Sequence, residues 1–177
     1  NALSEQKSIS DAISAYKTAI LLKPDYAEAH YNLGRIYAHL YMFDEALCAF
    51  DEAINTQPDY AEAYNHLGMI LHKEKKSSEA IEAYTKAIII KSDYAEAYNN
   101  MGMLLHEEDK LSEAIGAYTK ALSVKPDYAE AYNNLGFTFQ KQEMLDEAIE
   151  RFEIALAINP NFAEAYNNMG AALRDAG

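Results

Sequence analysis

Apolar residues recur along this chain at helical spacing, and the helical stretches come in pairs. Within residues 61–94, Tyr64, Leu67 and Leu71 share one side of a helix, and Ile81, Tyr84 and Ile88 share one side of a second, with no proline inside either stretch. Proline is confined to the end of the second stretch, at Pro24, Pro58, Pro126 and Pro160, where its missing N–H stops a helix. Gly34, Gly68, Gly102, Gly136 and Gly170 are spaced by 34 residues, as are Ala12, Ala46, Ala80, Ala114 and Ala148, with Ser92 the one break in the proline series. A period of this size predicts an all-α array of stacked helical hairpins rather than a domain with one central core.

Numbering each unit from Ala27 gives complete repeats at 27–60, 61–94, 95–128 and 129–162 within a single array. Residues 1–26 are a partial repeat that supplies a second helix, and 163–177 a partial repeat that supplies a first helix, so the array reads as cut inside a repeat at both ends. The units at 61–94 and 95–128 are identical at 23 of 34 positions, so equivalent residues are expected in equivalent surroundings. Small residues, Ala29 and Gly34 on the first helix and Ala46 and Ala53 on the second, mark where the helices approach closely. For helix starts, Asp25, Asp59, Asp93, Asp127 and Asn161 stand three residues before a glutamate, a pattern that predicts a capping box. Second helices are expected to open at Ser10-Asp11, Asp44-Glu45, Ser78-Glu79, Ser112-Glu113 and Asp146-Glu147.

Charge narrows the partners. The formal net charge is −13, which repels a phosphate backbone and an anionic lipid surface alike, so neither nucleic acid nor membrane is expected. No apolar run approaches the roughly 20 residues that cross a bilayer, and a cytoplasmic location is expected. Cys48 is the only cysteine, which leaves no internal disulfide. His39, His72 and His106 lie on successive units and read as surface histidines, since zinc sites draw on tighter spacings; no metal or cofactor is expected. The sequence contains no nucleophile–base–orienter set and no glycine-rich phosphate loop, so the chain is not expected to be an enzyme by itself.

The repeat resembles the tetratricopeptide repeat family through His30, Leu33, Gly34, Tyr37, Ala46, Phe50 and Pro58, a pattern that returns along the whole chain. Tyr64, Tyr98, Tyr132 and Tyr166 stand where the family often has tryptophan, Leu71 and Leu105 replace the second aromatic, and Ser92 replaces proline. The resemblance implies a right-handed α-solenoid superhelix of antiparallel hairpins, whose first helices line a concave groove that holds peptides or partner proteins.

Unit positions two, five, six, nine, twelve and thirteen fall together on the first helix, opposite its apolar stripe. Position six reads Asn32, His66, Asn100, Asn134 and Asn168, and position five reads Tyr31, Asn65, Asn99, Asn133 and Asn167. Carboxamides carry donors and an acceptor together and therefore suit an extended peptide backbone. The row at Asn32, Asn100, Asn134 and Asn168 is similar to the asparagine ladder in the repeat domain of the nucleocytoplasmic O-linked N-acetylglucosamine transferase, with His66 as an interruption. Met69, Met103 and Phe137, at position nine, add an adaptable apolar strip. Position two is glutamate in every copy, so these positions make no cationic clamp for a terminal carboxylate; the six positions carry seven acids against four bases, which favours a neutral to mildly basic peptide. The expected function is thus a protein-interaction module or scaffold. Two further readings are a substrate-selecting portion of a larger glycosyltransferase or sulfotransferase, and a scaffold that self-associates end to end through its cut repeats.

Overall fold

The computed structural model describes residues 2–177, with side chains from residue 7 onward. Asn1, the first residue of the expected partial repeat, lies outside the described residues. Among the described residues every regular element is a helix: α1 (Ala2–Leu22), α2 (Ala27–His39), α3 (Phe43–Thr56), α4 (Ala61–Lys73), α5 (Ser77–Ile90), α6 (Ala95–Glu107), α7 (Leu111–Val124), α8 (Ala129–Lys141), α9 (Leu145–Ile158) and α10 (Ala163–Ala176). They gather into two compact units, Asn1–Ser92 and Asp93–Gly177.

In the first unit α2 and α3 form one hairpin and α4 and α5 the next, with α1 packed on α2 and α3 on α4. Each hairpin closes on an aromatic ring laid over a glycine. A Cβ built on Gly34 would meet the Phe50 ring at 2.8 Å, and one on Gly68 would meet Tyr84 at 2.7 Å. No side chain fits between ring and helix there. Ala46 and Ala53 flank Phe50 and are fully buried, as are Ala80 and Ala87 beside Tyr84. Leu33, Tyr37, Phe50 and Ile70 form a common core with Ile13, Tyr16, Ile20 and Leu67 at its edge.

The second unit repeats the arrangement with α6 on α7, α8 on α9 and α9 against α10. Tyr118 lies over Gly102 and Phe152 over Gly136, with Cβ contacts of 2.6 and 2.8 Å. Ala155, Leu156 and Ala165 close the α9–α10 contact, with Tyr132, Phe162 and Met169 beside them.

The loops inside the hairpins use a device that composition does not advertise. Tyr41, Lys75, Asp109 and Glu143 adopt left-handed φ angles of 58°, 62°, 61° and 63° although none is glycine. Each follows a first helix whose last carbonyls are taken up by a Schellman pair: Lys75 N–H donates to His72 O at 3.0 Å and Lys76 N–H to Leu71 O at 2.9 Å, with the same two bonds at the other three loops. The next residue, Lys76, is already the N-cap of the following helix, and its carbonyl accepts the Ala80 N–H.

Two expectations about helix starts are corrected. First helices are capped by Tyr26, Tyr60, Tyr94, Tyr128 and Phe162, one residue after the predicted aspartate or asparagine, and no side chain bonds the cap. The turn itself does the work. Tyr60 N–H donates to Gln57 O, its carbonyl accepts from Ala63 and Tyr64, and Ala61 N–H reaches Asp59 O, so the amides of Tyr60, Ala61, Ala63 and Tyr64 are occupied without a capping box. The second helices likewise begin before the predicted pairs, with N-caps at Met42, Lys76, Lys110 and Met144, which places the acidic residues inside the first turn. Ser10-Asp11 does not start a helix at all, because α1 runs through it. Ser92 has no effect on the stop: α5 ends at Ile90, with Lys91 extended like its counterpart Gln57.

Candidate peptide-binding face

The first helices place their unit positions five and six side by side, yet the two rows have different surroundings. Asn65, Asn99 and Asn133 are buried, with 3%, 4% and 1% of their surface exposed, whereas Asn32, His66, Asn100, Asn134 and Asn168 are half-buried. The buried carboxamides need partners, since an unpaired one costs about 1–3 kcal/mol. In the second unit their oxygens take a donor from the next repeat: Asn134 Nδ2 donates to Asn99 Oδ1 at 3.0 Å, and Asn168 Nδ2 to Asn133 Oδ1 at 3.0 Å. Their nitrogens turn to sulfur or carboxylate, Asn99 Nδ2 to Met103 Sδ at 3.7 Å, Asn65 Nδ2 to Met69 Sδ at 4.0 Å and Asn133 Nδ2 to Glu164 Oε1 at 3.3 Å. Among the described residues no buried side-chain nitrogen or oxygen lacks a partner.

This geometry narrows the sequence-based site. Asn99 and Asn133 belong to the packing between successive first helices, Asn65 is buried with its Nδ2 on Met69 of its own helix, and Asn167 is the one carboxamide of that row that is exposed. The accessible row is position six, flanked by Met69, Met103 and Phe137, which expose 36%, 40% and 48% of their surface. Asn134 and Asn168 each commit one Nδ2 hydrogen to a neighbour, which leaves the acceptor Oδ1 and the second Nδ2 hydrogen for a ligand.

The first contact of the series is built differently. Tyr31 and His66 replace the two carboxamides, with the Tyr31 hydroxyl 3.4 Å from His66 Nδ1 and the rings edge to face at 5.3 Å. Tyr60 packs on Tyr31 at 4.8 Å, and the Arg35 guanidinium sits over the Tyr31 ring at 5.6 Å. Burial lowers the pKa of His66, with Arg35 adding to the effect, and burial pushes the Tyr60 hydroxyl up to about 12. Burial alone would raise Glu62 as well, but its bond to Lys91 at 3.0 Å holds the carboxyl below its ordinary value. Two of the position-two glutamates make specific contacts, Glu62 to Lys91 and Glu164 to Asn133, in place of the expected capping role.

Sequence reading missed Thr138. It is fully buried at a position held by Ile70 and Leu104 in other copies, and its Oγ1 donates to the Asn134 carbonyl at 2.8 Å. Its Oγ1 also lies within hydrogen-bond distance of His106 Nδ1, at 2.9 Å. His106 also stacks on Phe137 at 5.1 Å, and its pKa is lowered by burial and then by Lys141. Two features away from the face carry less. Among the described residues, no group of three His, Cys, Asp or Glu is placed to hold a metal ion. A cavity of about 440 Å³ beside Cys48, lined by Ile20, Leu33, Tyr37 and Ala49, has a counterpart of about 410 Å³ beside Leu67, Leu71, Glu82 and Ala83, one repeat on. Its recurrence marks a furrow between second helices rather than a site with its own chemistry.

Comparison with known families and structures matches this architecture. A family profile described as "Tetratricopeptide repeat" matches residues 61–94 and 129–162, a second of the same description matches 27–60, and one described as "TPR repeat" matches 1–40 and 102–143. No curated protein sequence matches the chain. Among solved structures, MamA is 28% identical with a TM-score of 0.79, covering 91% of this chain and 94% of its own. YrrB, described as "a TPR protein with an unusual peptide-binding site", is 27% identical with a TM-score of 0.74, covering 94% of this chain and 86% of its own. PilF of Pseudomonas aeruginosa is 26% identical with a TM-score of 0.79, covering 85% and 68%. No helix among the described residues is long and apolar enough to cross a membrane.

Proposed function

We propose, on the premise that this chain belongs to the tetratricopeptide repeat family and has its all-α solenoid fold, that it is a non-catalytic protein-interaction module. In this reading the first-helix face of each unit binds an extended segment of a partner protein. The observation that carries the reading is the half-exposed position-six row, in which Asn134 and Asn168 have Nδ2 fastened to a neighbour and Oδ1 available. A backbone N–H is the matching group on an extended peptide, so pairing is sequence-tolerant. Met103 and Phe137, beside that row, give apolar side chains a place to rest. The excess of acids over bases across the six face positions favours a neutral to mildly basic segment. YrrB, the fold relative described by a peptide-binding site, lends support from outside the chain.

The test is panning of a peptide library against the purified chain, followed by variants. Phe137→Ala should weaken captured peptides at least about tenfold, a loss of about 1.4 kcal/mol, with melting little changed because the ring is half exposed. Captured peptides that bind Phe137→Ala as tightly as the parent chain, or that protect the second-helix surface around Cys48 and Glu82, would remove this face from the account.

A further inference from the structure

Position nine of the first helices changes character within the second unit. It reads Met103 on α6, Phe137 on α8 and Ala171 on α10, so a half-exposed ring stands between a thioether and a half-buried methyl. The ring is also held. His106 of α6 stacks on one side of it, with ring centroids 5.1 Å apart and planes 26° from parallel. His106 is fixed in turn by Thr138, whose Oγ1 lies 2.9 Å from His106 Nδ1 and 2.8 Å from the Asn134 carbonyl, and the buried Tyr118 hydroxyl bonds the same Thr138 side chain. Thr138 brings a hydroxyl to a position that reads Ile36, Ile70, Leu104 and Ala172 in the other copies. A satisfied polar network rigidifies what it touches, and this one ends on the ring that the face exposes.

The other side of the Phe137 ring remains. With the imidazole against it from α6, its open side is turned toward α10, where Ala171 offers only a methyl at the matching position. A slot results, with Phe137 as its wall, Ala171 as its floor, and Asn134 and Asn168 one turn before them. Charge around the slot is one-sided. In the first unit the six face positions carry Glu28 and Glu62 against Arg35 and Lys73, which cancel, whereas the second unit has Glu96, Glu107, Glu130, Glu164 and Asp175 against Lys141 and Arg174. Both bases are engaged, Lys141 by Asp109 at 2.9 Å and Arg174 by Asp175 at 2.9 Å. The acid excess of the whole face therefore lies on the helices that form the slot.

We propose that this slot is an aromatic-specific subsite, in which a phenylalanine, tyrosine or tryptophan of a bound segment, next to a lysine or arginine, stacks on the open side of Phe137 over Ala171. The inference rests on the binding face proposed above and names the kind of segment that the face selects. A flat ring gains from stacking on another ring as well as from leaving water, whereas leucine gains only from leaving water. Phe137 loses little freedom on receiving it, because His106 and Thr138 already hold the ring in place. The neighbouring base of the segment meets the acid excess of the second unit, Glu96 and Glu130 among it. His106 and Thr138 are positioning residues in this account, since they act through Phe137.

The experiment measures retention of synthetic peptide sublibraries on the immobilised 177-residue chain. Each sublibrary fixes a central residue as Phe, Leu or Ala and its neighbours as Lys or Glu, with the remaining residues randomised. Central Phe with Lys neighbours should bind at least about tenfold more tightly than central Leu with Lys neighbours or central Phe with Glu neighbours. Ala171→Met gives α10 the side chain that α6 carries at Met103, so the fold is retained while the slot is filled, and the preference for Phe over Leu should vanish. Thr138→Val should reduce that preference and Thr138→Ser should keep it, a ratio that a loss of stability alone does not move. Equal retention of Phe and Leu, indifference to Lys against Glu, or a preference that survives Ala171→Met would overturn the subsite; the binding face stands in that case as long as Phe137→Ala weakens whatever is retained. Retention of no sublibrary, or retention that Phe137→Ala leaves untouched, would remove the face and its subsite together.

Discussion

At the residue scale, the side chains that depart from the repeat carry the clearest consequences. His66 and His106 both have pKa values lowered by burial, so the folded chain binds fewer protons at these sites than the unfolded chain, whose histidines titrate near 6.5. Their stabilising contribution is therefore complete above about pH 6.5 and is lost as pH falls through the folded values. Glu62, Asp109 and Asp175, whose pKa values are lowered, add a second loss at more acidic pH, in the carboxylate range. Melting temperature should drop between about pH 7.5 and pH 5.5, and the drop should shrink in the His66→Asn, His106→Asn double variant. The left-handed loop residues give a prediction of opposite sign. Lys75→Gly or Glu143→Gly relieves a conformation that costs an L-residue about 1–2 kcal/mol, so urea titration should show either variant to be more stable than the parent. Neither feature was legible beforehand. A left-handed lysine has no sequence signature, and the Thr138–His106 bond joins residues 32 apart whose types alone say nothing of contact.

At the scale of the helix, the sequence was more informative, because the apolar periodicity and the glycines each have a direct physical counterpart. Leu71 and Tyr84 turned inward, Tyr64 is half-buried at the furrow, and Gly34 to Gly136 became seats for rings. Helix starts were misread because Asp and Glu at capping spacing suggested a side-chain cap, whereas the backbone turn before Tyr60 already occupies those amides. The asparagine rows were half legible. Their regular spacing was visible, but burial of Asn99 and Asn133 follows from a bond made 35 residues away, which a helical wheel of one repeat does not contain. Two comparisons test these contacts. Gly102→Ala should destabilise by about 1–3 kcal/mol because the new methyl meets the Tyr118 ring at 2.6 Å, while Gly170→Ala should be neutral or stabilising by up to about 1 kcal/mol. Asn133→Ala should cost about 1–3 kcal/mol, since it leaves Asn168 and Glu164 without their shared partner, and the loss should register in chemical denaturation.

At the scale of the whole molecule, the same few contacts serve two purposes. In the second unit carboxamides bonded repeat to repeat fix the first helices, and Asn134 and Asn168, the position-six members of those bonds, present acceptors outward. The central claim is that this face, rather than the second-helix furrows, receives a partner. Its most direct test is amide and methyl NMR of the labelled chain titrated with a captured peptide. The account predicts shifts in the side-chain amides of Asn100, Asn134 and Asn168 and in the Met103 methyl, with those of Asn99 and Asn133 following more weakly. Shifts confined to residues around Cys48, Glu82 and Lys86, with the position-six amides unmoved, would contradict it.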